Sequence, residues 1–80
     1  MKTRPVLLIH WVDASTTETK TPPSPPEPAV GVAVGVLVSQ NRYHIKVARE
    51  WFYDGDFRGE LTIPKKYIRT QETIYQVPEE

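Results

Sequence analysis

The sequence contains no cysteine, only two histidines and no long apolar run. Without cysteine there is neither a disulfide framework nor a thiolate nucleophile, and His10 and His44 are too far apart in the chain for a zinc-ligand spacing. The apolar runs at residues 6–9 and 29–38 are far shorter than the roughly 20 residues of a membrane helix, and no signal-peptide cleavage site follows the first. We therefore expect a cytoplasmic protein with no cofactor, no metal and no membrane partner.

The sequence also lacks an excess of charge of either sign. Ten basic and ten acidic residues give a formal net charge of zero, so no field of the whole molecule attracts nucleic acid or membrane. A chain of 80 residues forms one small domain, which buries only about 60% of its unfolded surface. We expect a single domain over residues 1–80 in which any charge-driven binding is local.

Three motifs share residue types with catalytic or metal sites, but each is incomplete. The Asp-Gly-Asp sequence at 54–56 lacks the further oxygen ligands and distal glutamate of a calcium loop. Residues 31–35 are rich in glycine but lack the Lys-Ser/Thr pair that completes a phosphate loop. His10, Asp13 and Ser15 have the residue types of a catalytic triad without a nucleophile elbow or an oxyanion motif. The sequence therefore predicts a protein that is not an enzyme.

Alternation of side-chain type predicts an all-β domain of five strands. The most regular segment is 29–39, in which five valines share one face and mostly small residues occupy the other: Val30, Val32, Val34, Val36 and Val38. We interpret the valine face as the buried face of the central strand, with the glycines opposite marking a bend or a bulge. The other strands are predicted at residues 6–12, 43–48, 57–63 and 70–77, and adjacent Ile74 and Tyr75 leave the inward face of the last one open.

The connections between these strands predict the topology. Residues 13–28 include five prolines and form a long Pro-rich loop or arm after strand 1, which we interpret as a stiff spacer in preference to a polyproline ligand. Asn41 favours a tight turn, Asp54-Gly55 favours a hairpin turn, and residues 64–67 fit one short helical turn before the last strand. This order matches a five-stranded SH3-like or Sm-like barrel.

Four short motifs carry a resemblance to other proteins. They are Trp11-Val12-Asp13, the valine-rich residues 34–38, Ile45-Lys46-Val47-Ala48 and residues 62–68, which read TIPKKYI. In this order they resemble a broad group of short phage and prophage proteins over roughly residues 6 to 75. The resemblance implies a small barrel that acts as a binder and blunts a host defence system, including by sequestering a nucleotide signal. The motifs are short and apolar, so the resemblance bears more on the fold than on the function.

Basic residues concentrate in the second half of the chain. Residues 40–70 contain seven basic and four acidic side chains. Cations here alternate with aromatic side chains, and this pattern suits phosphate binding by arginine and lysine and base stacking by aromatic rings. The candidate ligand-binding residues are Arg42, Tyr43, His44, Lys46, Arg49, Trp51, Tyr53 and Lys65, with Lys66 and Tyr67 beside them. The alternative interpretation is a set of solvated strand faces without a ligand.

Trp51, Phe52 and Tyr53 form a run of three aromatic residues. A regular strand must point at least one of them away from its own core, and an exposed aromatic side chain commonly marks an interface or a stacking platform. A bulge that lets two of them cover the end of the barrel is the structural alternative.

The leading hypothesis is a non-catalytic phage-type protein that sequesters an anionic nucleotide-like signal or a short nucleic acid, as a homo-oligomer that repeats a modest patch. Two alternatives stay open. One is a protein-interaction module that inhibits or adapts a host protein through the exposed aromatic hairpin, and the other is an Sm-like RNA binder.

Overall fold

The structure is a computed structural model that describes residues 2–13 and 29–79. It contains five strands and one 3-10 turn: β1 (Lys2–Asp13), β2 (Ala29–Gln40), β3 (His44–Trp51), β4 (Phe57–Pro64), η1 (Lys65–Tyr67) and β5 (Ile68–Glu79). No helix in these two ranges is long and apolar enough to cross a membrane. The predicted all-β class is confirmed, and the short helical turn before the last strand is present. The Pro-rich loop predicted for residues 13–28 lies outside the described residues apart from Asp13.

The five strands form one antiparallel sheet in the order β4-β3-β2-β1-β5. Strands that follow one another in the chain are neighbours, except that β5 returns to the far side of β1. The two edge strands are β4 and β5, which are not hydrogen-bonded to each other, so the sheet is not closed by a ladder between them.

The main buried cluster lies on one face of this sheet, and Val12, Val36 and Ala48 are buried outside it. The cluster consists of apolar side chains from β1, β3 and β4: Leu7, Ile9, Ile45, Val47 and Ile63. β1 and β3 each contribute two alternate residues, as period-two geometry requires, and β4 contributes Ile63. Four half-buried side chains pack against this cluster: Trp11, Ala33, Leu37 and Ile68.

The face of β2 that meets this core differs from the predicted one. Ala33 and Leu37 pack against the core, whereas Val30, Val32 and Val34 are 70%, 56% and 52% exposed. The prediction that all five valines share the buried face is therefore wrong. The physical reason lies at buried Gly35, where a Cβ would come within 2.9 Å of the Val47 Cβ, so the inward face requires small residues at this close approach.

β2 contains a bulge near its end. Leu37 pairs with Val47 and Ser39 pairs with Lys46, so Val38 is an extra residue without a partner in β3. Arg4 lies beside this bulge, and its Nη1 donates hydrogen bonds of 3.0 Å to the carbonyl oxygens of both Leu37 and Val38. The predicted irregularity in β2 thus lies at Val38 and not at a glycine.

β5 also contains a bulge, at the two residues whose inward face was left open by the sequence. Val6 pairs with Tyr75 and Leu7 pairs with Thr73, so Ile74 is skipped in the register. Both Ile74 and Tyr75 are exposed. Core contact in β5 comes from Ile68 at its start, where the strand faces Trp11.

Candidate functional site

The turn between β2 and β3 is built by the side chain of Asn41. Its Oδ1 accepts hydrogen bonds of 2.8 Å from the backbone N–H groups of Tyr43 and His44, and its own N–H donates to the His44 carbonyl oxygen at 2.9 Å. This is an Asx-type turn in which the side chain replaces a backbone acceptor. The predicted tight turn is present, but positive φ does not produce it, because among the described residues only Gly55 and Gly59 have positive φ.

A backbone hydrogen bond joins this turn to η1. The Lys65 N–H donates to the Tyr43 carbonyl oxygen at 2.8 Å. A recess of about 350 Å³ opens between the two elements, and its lining is mostly cationic and aromatic: Arg42, Tyr43, His44, Pro64, Lys65 and Lys66. We call these six residues the turn surface. The structure therefore brings together four of the predicted site residues, which come from two segments more than 20 positions apart in the chain.

The aromatic member of the turn surface is accessible. Tyr43 is 64% exposed, and the Arg42 guanidinium lies 5.7 Å from the centroid of its ring. A cation over an aromatic face is a favourable arrangement that also leaves the guanidinium N–H groups free to meet an anion. The side chains at this point offer both a flat ring and a planar cation to a ligand.

Lys46 lies on the other side of His44. A second recess of about 290 Å³ is shared by His44 and Lys46 with polar residues that were not among the predicted ligand-binding residues: Ser39, Gln40, Asn41 and Thr62. The Lys46 Nζ lies 3.3 Å from a carboxylate oxygen of Glu60 on the neighbouring strand, and both side chains are partly exposed. This ion pair reduces the positive charge that Lys46 offers to a ligand. Glu60 is not among the residues predicted from the sequence, because its position beside Lys46 depends on the register of β3 and β4.

The remaining predicted site residues lie towards the other end of β3. Arg49 is five residues beyond His44 and Trp51 is seven, which places Trp51 roughly 23 Å from His44 along an extended strand. Tyr53 follows in the turn after β3 and is 70% exposed. The structure therefore divides the eight predicted residues into two groups, because a strand separates residues that are close in sequence by about 3.3 Å per position.

Trp51 is packed against other side chains of the protein. Its ring stacks on Phe57 at a centroid distance of 5.6 Å with an interplanar angle of 5°, and the Arg4 guanidinium lies 4.7 Å from the ring centroid. Its indole Nε1 is buried, with no hydrogen-bond partner within the described residues. These two contacts cover part of the ring surface that Trp51 would offer to a ligand.

The turn between β3 and β4 has the hairpin-like geometry predicted for Asp54-Gly55. Gly55 has a φ of +93°, and its N–H donates to the Phe52 carbonyl oxygen at 2.9 Å. The Asp54 carboxylate accepts from the Asp56 N–H at 2.9 Å. This turn presents Phe52 and Tyr53 to solvent.

A larger groove of about 540 Å³ lies elsewhere on the molecule. One wall is the edge of β2 from Gly31 to Val34, the other is formed by Arg49 and β4 residues 59–61, and Trp11 and Val47 also line it. We call this the β2 groove. Arg49 therefore belongs to a different concave region from the turn surface.

Comparisons with known proteins add no assignment to this geometry. No protein-family model matches the chain, and neither curated proteins nor solved structures gave a match. Within the two described ranges, no three His, Cys, Asp or Glu residues are grouped so that they could hold a metal ion. The turn surface and the β2 groove are the two candidate binding regions among the described residues.

Proposed function

We propose that this protein binds an anionic nucleotide-like ligand at the turn surface and holds it without chemical turnover. The observation that carries the proposal is the hydrogen bond from Lys65 N to Tyr43 O, because it fastens cations from two separate elements around one recess. A ligand that bears phosphate meets several positive side chains there at once, on a scaffold already held in place.

The charged, aromatic and histidine side chains of the turn surface have different roles in this proposal. Arg42 has the planar fork that binds a phosphate bidentately, and Lys65 and Lys66 supply point charges beside it. The exposed Tyr43 ring stacks on a base. His44 borders both recesses, so a ligand longer than a mononucleotide extends past it towards Lys46.

The wider biological role forms part of the same proposal. The strand order with a 3-10 turn before the last strand supports an SH3-like or Sm-like barrel plan, which hosts many binding functions. Together with the sequence resemblance, it favours a phage-type anti-defence protein in the host cytoplasm that sequesters a nucleotide signal. A homo-oligomer would present several copies of the turn surface.

Titration calorimetry tests nucleotide binding directly. We expect saturable heat with a nucleoside diphosphate or a cyclic dinucleotide, a decrease in affinity at higher salt, and recovery of the ligand intact after heat denaturation. Arg42→Gln and Lys65→Gln should each weaken binding about tenfold, since each removes a charged hydrogen bond of roughly 1.5 kcal/mol.

Arg58→Gln is the matched control for these variants. Arg58 lies at the start of β4 beside Phe52, away from the turn surface, and its replacement removes the same charge. Equal losses for Arg42→Gln and Arg58→Gln would show that net charge, and not this recess, governs binding. An Sm-like RNA binder would instead show a steep salt slope with oligonucleotides and little response to mononucleotides.

A second candidate function rests on the β3–β4 turn. Phe52 and Tyr53 are exposed there without being needed for the core, as in a surface that binds a host protein. Tyr53→Ala should then release a defined host partner, whereas Tyr75→Ala, at a similarly exposed tyrosine on β5, should retain it. No change with either variant would count against this function.

A further inference from the structure

The first half of β2 has an open side. Along residues 29–34 the strand is paired with β1 on one side, whereas its pairing with β3 begins only at Val36. Among the described residues, no strand occupies the other side of this segment. The β2 groove runs along it and separates it from Arg49 and residues 59–61 of β4, so among the described residues no strand is hydrogen-bonded to this side of the segment.

This unpaired side of β2 lacks the sequence features that protect the two edge strands, β4 and β5, from association. β4 carries Arg58, Glu60 and Pro64, and β5 carries charged residues and Pro78. Charged side chains and proline are common means of preventing edge-to-edge association of strands. Residues 29–38 contain no charged residue and no proline. An edge with these properties pairs readily with another strand.

The valines of this segment are exposed on the face away from the core. Val30, Val32 and Val34 are each more than half exposed, and they lie in register with Val12, His10 and Leu8 of β1. These valines form a row of β-branched side chains that favours a strand neighbour, and within residues 2–13 and 29–79 the row has one only on the β1 side.

The sequence of residues 29–35 allows the same segment of a second copy to pair with it. Residues 29–35 read AVGVAVG, and the same segment in reverse again places a valine at every second position. Facing residues in an antiparallel pair lie on the same side of the sheet, so a two-fold axis at Val32 sets Val30 against Val34 of the second copy and Gly31 against Ala33. An axis one residue later would require Val36, which is already paired with Ala48.

We propose that two copies of this chain associate through residues 29–34 of β2, in an antiparallel arrangement centred on Val32. The uncharged edge matches an uncharged strand, and the second copy supplies one of the right length with valine facing valine. Such an interface is isologous and closes as a dimer. It also joins the two sheets into one, which covers the open side of β2 in both copies. The proposed function includes a homo-oligomer, and this dimer names the surface through which its copies associate.

Sedimentation equilibrium over a range of protein concentrations tests the dimer. A six-residue strand pair is smaller than a standard interface, so we expect a reversible shift from one chain of 9.2 kDa to twice that mass as concentration rises. Val32→Lys places two like charges opposite each other at the axis and should abolish the shift. Val32→Thr keeps the β-branched shape without charge and should retain it.

A charge-pairing experiment tests the register. Val30→Glu and Val34→Lys should each weaken the dimer when alone, because a charge then faces a valine. Mixing the two variants sets the introduced carboxylate at position 30 against the introduced ammonium at position 34 and should restore association as a heterodimer. A heterodimer that forms no better than either homodimer would overturn this register.

The outcomes are distinct from those of the nucleotide experiment. A wild-type chain that stays at 9.2 kDa at all concentrations overturns the dimer, whether or not it binds nucleotide. A dimer that survives Val32→Lys forms through another surface and overturns the proposal equally. Circular dichroism of each variant verifies folding, and nucleotide titration of Val32→Lys shows whether the turn surface works in a single chain.

Discussion

The Nη1 of Arg4 lies 3.0 Å from the carbonyl oxygen of Val38, the residue that β2 inserts at its bulge without a partner in β3. The same guanidinium also bonds to the Leu37 carbonyl oxygen and lies over the Trp51 ring. A bulge leaves backbone groups without ladder bonds, and here a charged donor from β1 binds the carbonyl oxygens of the inserted residue and of the residue before it. One side chain near the start of the chain thereby connects β1 to β2 and β3.

Replacing this arginine should lower the free energy of unfolding. Arg4→Met keeps the aliphatic length but removes both hydrogen bonds and the cation over Trp51, with an expected loss of about 1–3 kcal/mol. Urea denaturation monitored by tryptophan fluorescence measures it. Arg69→Met, at an exposed arginine on β5, is the control and should change stability by less than about 0.5 kcal/mol. Equal effects of the two variants would contradict a structural role for Arg4.

The two environments of the β2 valines give a second prediction. Val34 and Val36 have the same side chain on the same strand, but Val34 is 52% exposed and Val36 is 7% exposed between Val6 and Ala48. Val36→Ala should cost about 1–3 kcal/mol of unfolding free energy, and Val34→Ala less than about 0.5 kcal/mol. Denaturation at concentrations below dimer formation provides the comparison. A larger loss for Val34→Ala would restore the buried valine face predicted from the sequence.

The error in that prediction has a specific physical cause. Alternation in residues 29–39 separates two faces correctly, but both are free of charge, so hydrophobicity alone does not say which one is buried. The deciding contact is non-local, because Gly35 passes close to Val47 and to the Ala48 carbonyl oxygen. The strands themselves were predictable because proline, glycine and asparagine mark their ends in the sequence.

The candidate site was predictable to a similar extent. One recess is lined by four of the predicted residues: Arg42, Tyr43, His44 and Lys65. They meet because the predicted turn and the helical turn lie at the same end of the sheet. Arg49 and Trp51 were grouped with them because they are near in sequence, but an extended strand carries them away. The stack of Trp51 on Phe57 depends on cross-strand register, which a single sequence does not give.

The ion pair of Lys46 with Glu60 gives a prediction about nucleotide affinity. The two groups are 3.3 Å apart and partly exposed, so Glu60 screens the charge of Lys46 at the second recess. Glu60→Gln should strengthen binding of a cyclic dinucleotide about two- to fivefold, with the largest gain at low salt. Glu72→Gln on β5, which removes the same charge far from the recess, should leave affinity nearly unchanged. Equal gains would indicate a general charge effect.

Asn41 gives the prediction that links the fold to the site. Its Oδ1 accepts from the N–H groups of both Tyr43 and His44, so Asn41→Ala leaves two donors without their acceptor and loosens the turn that carries Arg42 and Tyr43. We expect a loss of about 1–2 kcal/mol in unfolding free energy together with weaker nucleotide binding.

Asn41→Asp is the matched control, because a carboxylate oxygen accepts the same two hydrogen bonds. This variant should keep most of the stability, whereas its added negative charge beside His44 and Lys46 should still reduce affinity for an anion. Denaturation and calorimetry on both variants separate the two effects. If Asn41→Ala binds nucleotide as tightly as the wild type, the order of this turn does not matter for the ligand, and the turn surface is not where it binds.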